Sequence, residues 1–153
     1  MIVQKRIFMK YHPLSFLFFL IVFFSACDNT GPQKHDSSLK VEKLAESVVS
    51  WNGDTLSDYI SGQPQVTILK ITIPPKYKLE WHKHPVINAG VMLKGELTVI
   101  SEKKDTLRLV EGQSLIELVN TFHYGINQGD DPAQILVFYA GNQNVPITVM
   151  KEK

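Results

Sequence analysis

From residue 66 onward, apolar and polar positions alternate along most of the chain. VTILKITI, residues 66–73, is rich in β-branched side chains and stops at Pro74-Pro75, where a strand ladder loses its donors. Further short runs of the same kind span 79–84, 86–93, 96–101, 106–110, 114–119, 122–127, 134–140 and 147–150. Turn formers separate them, among them Lys94-Gly95, Glu111-Gly112, Asn120-Thr121 and the segments 103–105, 129–132 and 141–145. Strands at a spacing of roughly 8–12 residues predict an all-β sandwich or barrel. Residues 46–153 are assigned to it, enough chain for one hydrophobic core and too little for two.

The pattern changes upstream. Val41, Leu44, Val48 and Trp51 suit one face of a helix, while 47–51 equally open a strand. A short N-terminal helix or edge strand is therefore expected before the turn at Asn52-Gly53-Asp54. Residues 27–45 read as a flexible tether, because DNTGPQKHDSSLK at 28–40 carries no apolar period. Residues 1–26 read as a targeting segment. Lys5, Arg6 and Lys10 precede an apolar run of eleven residues over 14–24, too short for a permanent span, and Ser25 and Ala26 lead into Cys27.

That segment resembles a bacterial lipoprotein signal peptide. The resemblance implies that Cys27 is lipidated and becomes the mature N-terminus. The protein would then sit in the cell envelope, anchored to a membrane by its lipid and facing the periplasm or the exterior. Phe24 departs from the usual leucine at the start of the lipidation box, and an ordinary signal peptide with an unpaired cysteine is the alternative. Cys27 is the only cysteine, so no intramolecular disulfide is available and the domain depends on its core.

Charge excludes one class of partner. Three of the 16 basic residues and none of the 15 acidic ones fall within 1–26, leaving a formal net charge of −2 on the rest. No stretch clusters Lys and Arg, so nucleic acid is not an expected partner.

The chemistry concentrates in two stretches. In EWHKHPVINAGVMLKG, residues 80–95, an extended chain turns His82, His84, Val86, Asn88 and Gly90 to one face. Two imidazoles two residues apart can converge on one ion, which needs at least a third ligand. His123, in GQSLIELVNTFHYGIN, supplies a third imidazole; His12 and His35 lie in the N-terminal segments. Glu117 is the candidate carboxylate beside them, with a surface or structural role as the alternative. Phe138, Tyr139, Trp81, Tyr124 and Met92 read as core of a small barrel, with a pocket lining as the other reading.

These two stretches resemble the cupin superfamily, whose first motif is G-x5-H-x-H-x(3,4)-E-x6-G and whose second is G-x5-P-x-G-x2-H-x3-N. His82, His84 and Gly95 match the first; Gly112, His123 and Asn127 match the second. Lys76 stands in place of the opening glycine, Asn88 in place of the metal-binding glutamate, and Leu118 and Asn120 in place of proline and glycine. The resemblance implies a double-stranded β-helix, or jelly-roll barrel. It also implies one divalent metal ion (Fe, Mn, Zn or Ni) held by His82, His84 and His123, with Asn88 as a further candidate ligand, and a homodimer. Three imidazoles leave coordination positions open for a small molecule. An enzyme of dioxygenase or isomerase type is one expectation. A metal- or ligand-sensing module and a barrel with a structural ion are the others.

Overall fold

The computed structural model describes residues 38–152. The targeting segment, Cys27, His35 and most of the tether lie outside the described residues. Lys40–Lys153 clusters as one compact unit.

Among the described residues nine strands form it: β1 Pro64–Ile73, β2 His82–Lys83, β3 Ile87–Lys94, β4 Glu96–Ser101, β5 Thr106–Val110, β6 Ser114–Ile116, β7 His123–Ile126, β8 Ala133–Asn142 and β9 Val149–Met150. They make two antiparallel sheets, ordered β1-β8-β3-β6 and β5-β4-β7-β2-β9. The chain passes back and forth between the sheets, as in a double-stranded β-helix. Period-two alternation sets the inward face of each strand. Leu97, Val99 and Ser101 on β4 are buried, as are Ala133, Ile135, Val137 and Tyr139 on β8. Burying each large aliphatic side chain contributes roughly 1.5–3 kcal/mol.

The expected strand over 79–84 is paired as a strand only at β2, because the chain is changing sheets there. His82 pairs with His123 of β7 and with Met150 of β9. After Pro85 the chain joins the other sheet as β3, beside β8 and β6. Parity survives the crossing: His84, Val86, Asn88, Gly90 and Met92 are all buried.

Residues 41–51 form no helix. Val41 and Val48 are 86% and 79% exposed, so the apolar face that a helix would offer has nothing to pack against. The Ser47 side chain bonds both to the Val49 carbonyl (2.7 Å) and from the Val49 N–H (3.0 Å), a local pairing that competes with helical bonds. The chain instead makes a tight turn through Asn52-Gly53-Asp54, closed by a Val49–Thr55 bridge. It docks on the barrel where Trp51 N–H donates to the Ile116 carbonyl at 2.9 Å.

Candidate metal centre

His82 on β2 and His123 on β7 face each other across an antiparallel pair. His84 follows one alternation after His82, and its backbone bridges Val119 in the loop leading to β7. That loop turns through Asn120, whose φ is +56° and whose N–H donates to the His84 carbonyl at 2.8 Å. Lys76 likewise has φ +57°. Both stand at motif glycine positions, and both keep the left-handed backbone that glycine would adopt most easily. These two departures from the motif therefore change residue type and leave the turn geometry in place.

The three imidazoles come together. Their ring centroids lie 4.6–5.1 Å apart, and each offers one ligand atom within 4.8 Å of the other two. Their tautomers follow from their partners. His82 Nδ1 lies 2.7 Å from the Glu80 carbonyl, His84 Nδ1 2.7 Å from that of Ile147, and His123 Nδ1 2.9 Å from that of Thr121. A carbonyl only accepts, so each Nδ1 carries the proton and each Nε2 keeps its lone pair. This is the outer-shell arrangement that orients metal-binding histidines. Burial lowers the pKa of His82 and holds that of His84 at about 3, outweighing the backbone hydrogen bond that raises each. Both rings therefore stay neutral, as a ligand must be. The donor set fits a divalent ion.

Glu117 completes the cluster, and its inward parity is the same as that of Leu115 on β6. Its Oε1 accepts from Trp51 Nε1 and from the Leu118 N–H, both at 2.8 Å. Its Oε2 lies 3.9 Å from His123 Nε2. One oxygen is thus tied to the scaffold and the other faces the imidazoles. Ser50 also donates to the Glu117 carbonyl at 2.9 Å, so the turn around residues 50–54 clamps this residue twice. Nothing in the local sequence pattern links Trp51 to Glu117.

Asn88 is buried on β3 opposite Tyr139 of β8. Its amide nitrogen lies 3.4 Å from the Val86 carbonyl, a long hydrogen bond. The Tyr139 ring stands edge-on to His84 at 5.4 Å. Burial, and then the Glu117 charge, push its phenol up to about 12, so it remains a donor. Tyr139 lines the cavity, whereas Met92 is core, Phe138 is 41% exposed, and Trp81 and Tyr124 pack edge-to-face on each other at 4.6 Å. Asn127 staples the β7–β8 connection: Nδ2 donates to the carbonyls of Ile73, Pro74 and Asp131, and Oδ1 accepts from Gly129.

The histidines, Asn88, Glu117 and Tyr139 border one cavity of about 400 Å³ inside the barrel. Inward Gly90 and Gly125 help keep it open. A Cβ on Gly90 would come within 2.9 Å of Leu115, and one on Gly125 within 3.0 Å of Leu79.

Residues 69–139 match the family model of the cupin domain, Cupin_2. No curated protein matches the chain. Among solved structures, DMSP lyase DddQ from Ruegeria pomeroyi DSS-3 is 20% identical with a TM-score of 0.50, over 68% of this chain and 49% of that one. A structure of the DMSP lyases RdDddP and RnDddQII gives 20% and 0.50, over 57% and 44%. A conserved protein with a double-stranded β-helix domain from Klebsiella pneumoniae gives 18% and 0.50, over 63% and 86%. The chain spans about half the length of the two lyase chains. At these identities the likeness is one of fold.

Proposed function

Given a cupin domain over residues 69–139, we propose that this protein binds one divalent metal ion through His82, His84 and His123 and acts on a small molecule as a mononuclear metal enzyme. The observation that carries the reading is the set of three Nδ1-anchored imidazoles, with their Nε2 atoms free, on the wall of a cavity. A structural ion is closed off by protein ligands, whereas this cluster borders open space. Bound there, the ion would supply Lewis acidity, polarising a substrate oxygen or acidifying a bound water.

The chain's own groups have separable roles in this reading. Glu117 Oε2 faces the cluster and is the atom positioned to accept or return a substrate proton, while Oε1 is held by Trp51 and Leu118. The Tyr139 hydroxyl stays protonated and offers a hydrogen bond to bound substrate. Asn88 adds an amide where the family motif has a carboxylate, so the ion keeps more of its charge than an acidic ligand would leave it. Chemistry of dioxygenase or isomerase type suits such a site. Export and anchoring through a lipidated Cys27, at a membrane of the cell envelope, belong to the same proposal.

The test is to purify the protein, measure bound metal, and follow oxygen uptake and isomerisation over a panel of diketones, phenols and thiols. One metal per chain, with turnover that Glu117→Gln abolishes while the metal stays, supports the reading. Metal without turnover on any of them would favour a binding or sensing module.

A further inference from the structure

The buried polar groups around the cavity, those of Asn88, Glu117 and Tyr139, gather at the imidazoles; Thr148 and the solvent-exposed Tyr77 and Glu80 also line it, and most of the remaining wall is aliphatic. Leu69, Ile71, Leu97, Val99, Ile135 and Val137 all contribute to it. No lysine or arginine among the described residues lines the cavity. The nearby cations are turned onto aromatic faces: Lys78 sits 4.0 Å from the Tyr124 ring centre, and Lys151 lies 4.9 Å from that of Phe122. Charge balance then limits the ligand. Glu80 is solvent-exposed, so a divalent ion on three neutral imidazoles, with Glu117 as the one buried carboxylate lining the cavity, leaves one positive charge unmatched. One anionic group satisfies it. A second, placed against the aliphatic wall, would be buried without a partner, and that is costly.

From this, and resting on the metal-binding reading above, we propose that the cavity selects a small molecule with one anionic head directed at the metal and an apolar body, and rejects ligands with a second anionic group. A cavity of about 400 Å³ lies within the range of small-ligand sites.

The experiment uses the full chain loaded with zinc, a redox-inert probe, with metal content measured first. Acetate, butanoate, hexanoate, succinate and adipate are then titrated by calorimetry at neutral pH. Affinity should rise roughly fourfold per added methylene along the monocarboxylates, and adipate should bind about 100-fold more weakly than hexanoate, as expected for an unpaired buried charge. Leu69→Lys places a cation on β1, in the sheet that lacks His82 and His123. It should recover at least tenfold of the adipate affinity with zinc content unchanged. A zinc-loaded protein that binds adipate as well as hexanoate, or whose monocarboxylate series is flat, overturns this inference and leaves the metal reading standing. A chain that takes up no zinc overturns the metal reading itself, and the head-group half of the inference with it.

Discussion

The two sheets are built to different plans. In one, β1 and β8 run side by side for ten residues each in unbroken register, and the inward side chains of β8 are aliphatic until Tyr139. In the other, β4 and β5 pair over five residues, but β2 has two residues, β7 four and β9 two, and His82 and His123 stand on β2 and β7. Long ladders secure the wall that packs. Short ones leave carbonyls of the flanking loops, those of Glu80, Thr121 and Ile147, unpaired with neighbouring strands and able to hold ring nitrogens. The difference teaches that the histidines are set where the ladders are shortest, while Asn88 and Tyr139 face them from the long-ladder sheet and Glu117 is brought in from the end of β6 by a clamp of its own.

The sharpest way to break this contrast is at the histidines. His123→Ala should weaken metal binding by more than about 100-fold, exceeding the usual loss from an outer-shell change, with the fold retained; metal analysis and circular dichroism check both. On the other sheet the effects should reverse. Ile135→Ala should cost about 2–5 kcal/mol of stability, as large-to-small core changes do, and leave metal stoichiometry intact, as denaturant melts and metal analysis will show.

Acid should single out the histidine side. An unfolded imidazole titrates near 6.5, whereas folded His84 does so at about 3. The unfolded chain therefore binds the extra proton between these values, so stability of the metal-free protein is full above pH 6.5 and drains as pH falls toward 3. The loss should reach roughly 3 kcal/mol by pH 4, seen in melts across that range, and His84→Gln should flatten it. The smallest effect is expected at the clamp. Trp51→Phe removes one donor from Glu117 Oε1 while the Leu118 N–H remains, and should cost about 1 kcal/mol, together with a larger fall in kcat than in substrate affinity.

How much of this was legible in the sequence depends on range. The strands over 66–73, 96–101 and 106–110 follow from alternation alone, and the structure places them within two residues. The convergence of His82 and His84 with His123 needed motif spacing, because they are about forty residues apart in sequence and meet only through strand pairing. Parity carried Asn88 inward correctly across the Pro85 crossing. It could not orient Glu117, since the turn at Asn120 separates that residue from His123 and breaks the count. Tyr139 and its neighbour Phe138 were both read as core, with pocket lining as the alternative; only Tyr139 turns inward, to line the cavity, while Phe138 is 41% exposed, and a period of two does not say whether an inward face is filled. Over 41–51 the expected short helix or edge strand gave way to a turn with one isolated bridge: the apolar positions fit a period of 3.6, yet only Trp51 among them packs against the core. The bond from Trp51 to Glu117 spans 66 residues, and no local pattern encodes it.

The central claim is that the Nε2 atoms of His82, His84 and His123 share one ion. Anomalous X-ray scattering from metal-loaded crystals, measured at the absorption edge of the bound metal, tests it most directly. The account predicts one peak about 2.0–2.1 Å from all three atoms, as in zinc–imidazole bonds. A loaded protein with its peak elsewhere, or with any of the three rings turned away from it, would contradict it.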